Sequence, residues 1–338
     1  MSGSLVTVLV ALAANALVAV AKSVAAALTG SASMVAEAAH SWADTGNEVA
    51  LLAAERRGSR PRDDAHPRGY GRASYLWSLV AAFGLFVAGS VVALWHGGTQ
   101  LWDELHDTAV PEAPAYTLNY VVLGVAFLLE GFSFLQATRQ VRRESRRWHL
   151  RPLAFVYRTS DPTLRAVVLE DSSALVGLAL AGAGVLAHQL TGDPVYDALG
   201  SIAVGLLLGV VALFLIRRNM DYLLGEGVPP RVHDELVRRL SAHPAVDRLT
   251  YLHVEFVGPR RIFLVAAVDL TGDDDEPVLA RRLRALEAEL EQADLVEDAV
   301  LTLSAPEEEP VRLRGTAGAA GDAGDAGDAG NLRGGRAR

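Results

Sequence analysis

Six stretches of apolar residues alternate with polar, charged segments along the first two thirds of the chain. They cover residues 5–28, 33–54, 76–96, 118–138, 164–190 and 195–216. Each stretch is long enough to cross about 30 Å of hydrocarbon as a helix. The pattern predicts a polytopic α-helical membrane protein with six transmembrane helices, which we number as spans one to six. The first stretch has no positively charged leader and no clear small-residue cleavage site, so we interpret it as a retained span.

The pattern changes after the doublet Arg217–Arg218 to that of a small water-exposed domain. Residues 231–242 and 277–292 have the period of amphipathic helices, and residues 249–257, 261–270 and 299–303 that of strands. The order αββαβ predicts a C-terminal α+β domain of ferredoxin-like topology over residues 229–304, following a transmembrane domain over 1–220. Residues 305–338 turn acidic and then into Gly-Asp-Ala triplets, which cannot bury a core and predict a disordered tail.

Arginine is distributed unevenly among the connecting loops. The loops after spans two and four are rich in arginine, whereas those after spans three and five carry acidic residues and no lysine or arginine. Because short cytoplasmic loops hold the positive charge, both termini and the α+β domain are expected in the cytoplasm. Arginine and alanine are abundant while Lys22 is the one lysine, a composition that indicates a GC-rich bacterial genome and hence the bacterial plasma membrane.

Charge and cysteine content exclude several classes of function. The formal net charge of −9 is dominated by the acidic C-terminal third, so it gives no indication of nucleic acid, and no such partner is expected. The chain contains no cysteine, which excludes disulfides and thiolate metal sites. Histidine and carboxylate side chains are therefore the strong metal ligands that remain.

Span two carries its polar side chains on one stripe. Residues recurring at three- and four-residue steps share one face of a helix, and here they are Glu37, His40, Ser41, Asp44, Asn47 and Glu48. A charged side chain in hydrocarbon is disfavoured by about 2.5–3.5 kcal/mol on insertion scales, so the stripe must face a cavity, a partner or an ion. His40 and Asp44, one turn apart, form a pair suited to a metal. For His40 alone, a packed and hydrogen-bonded histidine is the alternative.

Span five contains two adjacent acids, Glu170 and Asp171, inside an apolar run. A bound cation would neutralise them. Adjacent helical side chains point about 100° apart, so one acid is expected to be a ligand and the other to support it or to handle protons. Span one adds Asn15 and Lys22 on one face and span four the lone acid Glu130. Lys22 is expected to be a structural counter-ion to one of the buried acids.

In combination these features resemble the cation diffusion facilitator family. The resemblance lies in the six spans, a first span ending in Thr-Gly-Ser, the string Glu-Ala-Ala-His-Ser-Trp-Ala-Asp at 37–44, the loop His-Pro-Arg-Gly-Tyr-Gly-Arg from His66, and the αββαβ domain. It covers residues 5 to about 304. It implies a homodimeric secondary transporter in the lipid bilayer that moves a divalent metal, commonly zinc, out of the cytoplasm in exchange for protons, with no prosthetic group.

The same resemblance implies a transport site between spans two and five, formed by His40, Asp44 and Asp171. One turn before Asp171 the family usually has histidine or aspartate, whereas this chain has Val167. Glu170 beside Asp171 marks a divergent branch of the family. Either Glu170 completes the metal shell, or water or a polar group of spans one or two does so.

Two further metal sites of the family are expected to be absent or weak. In the loop after span two, Asp63 and His66 match the family pattern, but Tyr70 replaces its last histidine. The α+β domain contains three histidines that form no recognisable ligand cluster: His233, His243 and His253. Packing or surface roles are expected for them.

The ligand types favour zinc, which accepts four nitrogen and oxygen ligands. A shell with few histidines also leaves manganese, iron, cobalt and nickel open. Because ligands lose protons when they bind metal, protons arriving from the far side would expel the ion. Two alternatives are a metal-responsive sensor or scaffold without flux, and a membrane-embedded zinc hydrolase. The chain has no His-Glu-x-x-His string, so we expect no enzyme.

Overall fold

The computed structural model describes residues 2–106, 116–147 and 150–313, and it divides into two compact units between Leu224 and Gly225. The first unit is helical. Its α-helices are α1 Ser2–Thr29, α2 Ala32–Gly58, α3 Gly71–Gly84, α4 Val92–Leu105, α5 Tyr116–Arg147, the short α6 Pro152–Arg158, α7 Pro162–Thr191 and α8 Val195–Leu224. A π-helical segment, Leu85–Val91, joins α3 and α4 into one continuous helix.

Four helices of the described ranges are long and apolar enough to cross a membrane: Gly71–Leu105, Tyr116–Arg146, Pro162–Thr191 and Val195–Leu224. Where the side chains of α1 are described, Asn15–Thr29 forms a shorter apolar helix. The helix α2 has 27 residues, but its polar stripe lowers its mean hydropathy. The first unit is thus a membrane-type helical domain with four clearly apolar helices, and the count of six spans stays a prediction.

The helix α8 shows how this unit packs. One of its faces is buried at three- and four-residue steps, at Gly200, Val204, Leu208, Ala212 and Leu215. Its opposite face leaves more than half of the side chain exposed at Leu206, Val210 and Leu213. A helix that is apolar on every side fits hydrocarbon on its outer face and protein on its inner face. Small residues on the inner face let neighbouring helices approach closely.

The contact between α4 and α8 depends on Gly97. A Cβ atom there would lie 2.9 Å from Cβ of Ser201 and 3.0 Å from the backbone oxygen of Ala198. At the next residue, Gly98, a Cβ atom would meet no described atom within 4 Å. Substitutions at these two neighbouring positions therefore distinguish the effect of helix packing from that of intrinsic helix propensity.

Gly97→Ala is expected to destabilise the protein by about 1–3 kcal/mol, because the added methyl group forces α4 and α8 apart. Gly98→Ala is the matched control and should be neutral or stabilising by up to about 1 kcal/mol, since alanine favours the helix. Thermal unfolding in detergent measures both. Equal melting temperatures for the two variants would contradict the close packing of α4 on α8.

The second unit is a three-stranded sheet with two helices. Its elements are α9 Pro230–Ser241, β1 Val246–Gly258, β2 Arg261–Leu270, α10 Glu276–Leu290 and β3 Val296–Leu303. In the sheet order β1-β2-β3, the pair β1 and β2 is antiparallel and the pair β2 and β3 is parallel. The antiparallel pair is joined at Pro259 and Arg260, where Arg260 has φ 58°. The central strand β2 is buried along most of its length, as expected of a strand with a neighbour on each edge.

The chain beyond β3 continues along this sheet. The N–H of Val311 donates to the carbonyl of Leu249 at 2.8 Å, and Val311 and Leu313 pack against the core of the second unit. The predicted tail begins at residue 305, and its part from residue 314 onward lies outside the described residues.

Candidate functional site

The polar stripe of α2 lies inside the helical unit. Its side chains include several that are buried: Glu37, His40, Ser41 and Asn47. The helix α7 runs antiparallel to α2 along this stripe, because Glu37 approaches Gly177 while Asn47 contacts Glu170. We call this line of contact the α2–α7 seam. The opposite side of α2 is apolar and exposed at Trp42 and Val49. The stripe therefore faces protein and not lipid.

A cavity of about 140 Å³ lies beside the seam, between α1, α2, α5 and α7. Its wall contains five carboxyl groups, those of Asp44, Glu48, Glu130, Glu170 and Asp171. The other lining residues are Asn15, Val18, Asn47, Leu51, Leu129, Ser133 and Val167. Because a water molecule takes about 30 Å³ in the liquid, the cavity has room for a cation with several waters.

Three of the four residues predicted to hold a metal line this cavity: Asp44, Glu170 and Asp171. The fourth, His40, is fully buried and is not part of the lining. Its Nδ1 lies 3.5 Å from Oδ1 of Asp44, longer than an ordinary hydrogen bond. Neither ring nitrogen of His40, nor Oδ1 of Asp44, has a hydrogen-bond partner among the described residues.

The two adjacent acids of α7 turn to different neighbours. Glu170 accepts a hydrogen bond from Nδ2 of Asn47 on α2 through Oε2, while its Oε1 has no hydrogen-bond partner within the described ranges. Asp171 accepts a hydrogen bond from Oγ of Ser133 on α5 at 2.9 Å. Both still reach the same cavity. Each acid is thus held through one oxygen by a helix other than its own.

Carboxyl groups line the cavity, but they do not form a preassembled coordination shell for a metal ion. In the described part of the chain, no three His, Asp or Glu side chains lie close enough together to hold a metal ion. Unpartnered buried polar atoms typically cost about 1–3 kcal/mol each. The free oxygens of Asp44 and Glu170 and the free nitrogens of His40 are therefore costly unless a ligand or water satisfies them.

Sequence reasoning did not assign roles to several residues of this site. Asn47 and Glu48 were visible as members of the stripe, but their partners were not. Nδ2 of Asn15 lies 2.5 Å from Oε1 of Glu48, so Asn15 and Glu48 join α1 to α2. Ser133 is a single hydroxyl in an apolar helix, and nothing in the sequence pattern indicates a role for it. Its role depends on Asp171 lying opposite.

Lys22 on α1 pairs with Glu37 on α2. Nζ of Lys22 lies 2.9 Å from Oε2 of Glu37, and both side chains are fully buried. The prediction that Lys22 pairs with a buried acid is confirmed, although the partner lies on α2 and is neither Glu130 nor one of the two adjacent acids of α7. A cavity-lining role for Glu37 is not observed, since the residue lies outside the cavity wall.

In the loop after α2, Tyr70 forms a hydrogen bond with the carboxylate of Asp63, which a metal ion in this loop would need as a ligand. The hydroxyl of Tyr70 donates to Oδ2 of Asp63 at 2.8 Å, and the backbone N–H of His66 donates to Oδ1 at 2.8 Å. The rings of His66 and Tyr70 lie 4.0 Å apart between centroids. The hydrogen bond from Tyr70, followed by that from His66, holds the pKa of Asp63 below its usual range.

Tyr70→Phe and Tyr70→His should differ in zinc binding. The side chain introduced by Tyr70→His adds a third ligand to those of Asp63 and His66. This variant is therefore expected to bind one more zinc ion per chain than the wild type. The phenylalanine variant frees Asp63 but adds no ligand, and its zinc content should match the wild type. Elemental analysis of gel-filtered protein at neutral pH measures the content. A loss of zinc in Asp63→Asn would show that the wild-type loop already binds the ion.

The three histidines of the second unit have separate carboxylate neighbours. Nδ1 of His233 lies 3.4 Å from Asp234, Nε2 of His243 lies 3.3 Å from Glu289, and Nε2 of His253 lies 3.7 Å from Glu255. His233 is buried, whereas His253 is about half exposed. Over the described residues these histidines form no metal-binding group.

Comparison with known proteins gives related sequences. Metal tolerance protein C4 of Arabidopsis thaliana is 38% identical over 240 residues, which are 71% of this chain and 51% of that protein. The human proton-coupled zinc antiporter SLC30A9, mitochondrial, is 32% identical over 244 residues, 72% of this chain and 42% of that protein. Cation-efflux pump FieF of Cronobacter sakazakii is 26% identical over 261 residues, 77% of this chain and 78% of that protein.

The chain spans about half the length of the first two of these relatives. The names of the latter two describe an antiporter and an efflux pump, and none of the three names an enzyme. A family model described as cation efflux transmembrane domain matches residues 8–224, which include every residue of the cavity wall. The chain therefore belongs to the cation efflux family, also called the cation diffusion facilitators.

Proposed function

We propose that this protein exports a divalent metal cation, zinc in the first place, from the cytoplasm in exchange for protons. The observation that carries the proposal is the cavity inside the membrane-type unit, where Asp44, Glu170 and Asp171 meet with carboxylate oxygens left unpartnered at Asp44 and Glu170. Acids in a membrane interior mark ion pathways. The human relative is named a proton-coupled zinc antiporter, which supports both zinc and proton coupling.

The proposed ligands are His40, Asp44, Asp171 and Glu170. Glu170 takes the place that Val167 does not fill, because its Oε1 is free while Asn47 holds its Oε2. His40 joins through a ring nitrogen when α2 and α7 close around the ion. One imidazole with carboxylates suits zinc, while manganese, iron, cobalt and nickel fit the same donor types.

Proton coupling follows from the ligand chemistry. A carboxylate or imidazole binds metal only after losing its proton, so metal and protons compete for the same atoms. If the cavity opens alternately to the two sides, protons entering from outside release the ion there. Alternating access in such transporters is largely a rocking of helix groups around a fixed site.

The proposed setting is a bacterial plasma membrane crossed by six helices, with both termini and the sheet-containing unit in the cytoplasm. The arginines at the C-terminal ends of α2 and α5 and in the segments that follow them support this orientation. The proposed functional unit is a homodimer, as the family resemblance implies, and the sheet-containing unit contributes to pairing. The large apolar side chains exposed on α8 would face lipid.

Flux through reconstituted vesicles tests the proposal. The purified protein is placed in vesicles that contain a zinc-sensitive dye, and an imposed pH gradient drives exchange. Wild-type protein should accumulate zinc and should respond to the direction of the gradient, whereas His40→Ala should not. Repeating the assay with manganese, iron, cobalt and nickel ranks the ions. Absence of flux for every ion would contradict transport and leave a sensor or scaffold.

A further inference from the structure

A buried ion pair lies on the α2–α7 seam, displaced from the cavity toward the N-terminal end of α2. It consists of Lys22 and Glu37, both fully buried and 2.9 Å apart. Glu37 and His40 lie three residues apart and so share a face of α2. In the proposed orientation this end of α2 is the outer one. An ion leaving the cavity outward along the seam would pass His40 and then Glu37.

Glu37 has one oxygen that the pair does not use. Its Oε2 contacts Lys22, whereas Oε1 has no hydrogen-bond partner among the described residues. Oε1 points at α7, where a Cβ atom on Gly177 would lie 2.9 Å away. The missing side chain at Gly177 therefore lets this oxygen lie directly against α7. A fully buried, unpartnered carboxylate oxygen is an acceptor for a cation.

Polar groups continue from Glu37 to the end of α2. The hydroxyl of Ser33 donates to the backbone oxygen of Asp197 at 2.8 Å, and that of Ser31 donates to Oδ1 of Asp197 at 2.9 Å. Asp197 is buried in the first turn of α8. The seam thus offers oxygen atoms in succession from the cavity to the helix end.

Stability does not explain the Lys22–Glu37 pair well. Removing two charges from water is costly, and replacing a buried pair by apolar residues is often neutral or stabilising. Lys22 is also the chain's one lysine, in a sequence that otherwise uses arginine. A lysine ammonium is a compact charge on a flexible stem, whereas arginine is a rigid fork. A compact charge on a flexible side chain is suited to a position where the ammonium must leave its carboxylate partner and return to it.

We propose that Glu37 is a transit position for the exported cation. The ammonium of Lys22 takes the place of the cation at Glu37 when no metal ion is there. With Lys22 in place, its positive charge closes the outward route to a second dication. An ion arriving from His40 binds the free Oε1 and displaces Lys22 from Oε2. Once the ion has left, Lys22 returns to Glu37. This inference rests on the proposed zinc transport.

Zinc affinity and turnover of three variants test the inference. Lys22→Met leaves Glu37 uncompensated, so we expect zinc to bind about tenfold more tightly and kcat to fall at least about tenfold as the ion is retained. Glu37→Gln should lower kcat to a similar degree with little change in zinc affinity. The double variant Lys22→Met/Glu37→Gln should bind zinc like the wild type and still turn over slowly. Lys22→Arg, which keeps the charge, is the control for loss of charge.

The double variant separates transit from structure. If the pair only stabilises the fold, neutralising both members together restores wild-type kcat, and this result overturns the inference. Unchanged zinc affinity in Lys22→Met also overturns it. If a single variant fails to fold, the neutral double variant decides alone. Absence of zinc flux in the wild type would instead refute the proposed function, whereas normal flux in the double variant with loss in Asp44→Asn refutes only the transit role.

Discussion

Asp44→Asn is expected to lower zinc flux by at least about 100-fold, because loss of even a residue that supports a metal ligand typically costs 10- to 100-fold. Asparagine has nearly the same shape and keeps one oxygen, but it lacks the charge that Asp44 presents to the cavity. Flux into vesicles with entrapped dye, with the protein amount matched, measures the change. Asp193→Asn makes the same chemical change in an exposed loop residue and should leave flux unaffected.

The same Asp44 substitution should not destabilise the metal-free protein. Oδ1 of Asp44 is buried without a hydrogen-bond partner among the described residues, so its charge opposes folding. Thermal unfolding in detergent with a chelator present should give an unchanged or higher melting temperature for Asp44→Asn. A strongly lowered melting temperature would indicate that Asp44 serves the fold and would remove the basis for its role as a ligand.

The second large effect is expected at the adjacent acids of α7. Asp171→Asn should abolish zinc flux to the same extent as Asp44→Asn, since the family resemblance implies Asp171 as a ligand. Glu170→Gln should weaken zinc binding by about 10- to 100-fold and retain part of the maximal rate. Glutamine still accepts the hydrogen bond from Asn47, so the seam stays intact and only the charge is lost. Calorimetric zinc titration and flux at saturating zinc separate the two effects.

Glu130→Gln is the matched control for Glu170→Gln. Glu130 lines the same cavity from α5 but does not belong to the proposed ligand set. Its loss should reduce zinc affinity less than the loss of Glu170. If Glu130→Gln proves more damaging, the fourth ligand comes from α5 and not from the acid beside Asp171. Either result identifies which carboxylate completes the shell.

The cavity illustrates a conflict between stability and function. Five carboxyl groups line one small space, and like charges at short range raise the free energy of the folded, metal-free protein. A dication or several protons relieve this repulsion. In the proposed exchange, this repulsion links the binding of metal to the release of protons, and neutral substitutions should stabilise the metal-free protein while ending transport.

The sequence by itself determined the features that depend on local periodicity. The three- and four-residue spacing from Glu37 to Glu48 placed the polar stripe on one face of α2, and a charged stripe in hydrocarbon can only face inward. Long apolar runs predicted the helices. Within the described ranges, four helices are clearly long and apolar enough to span a membrane, and the polar stripe lowers the hydropathy of α2. The strand patterns at 249–257 and 261–270 likewise predicted two consecutive strands, which the structure pairs as β1 and β2.

Only the tertiary structure decided which polar groups meet. The partners Lys22 and Glu37 are 15 residues apart, Ser133 and Asp171 are 38 apart, and Asn47 and Glu170 are 123 apart. Such contacts depend on how whole helices pack and rotate against each other, and helix periodicity fixes a side chain's face but not the neighbour opposite it. For this reason the acids of the site followed from the residue pattern, while the choice of Glu37 as the counter-ion of Lys22 did not.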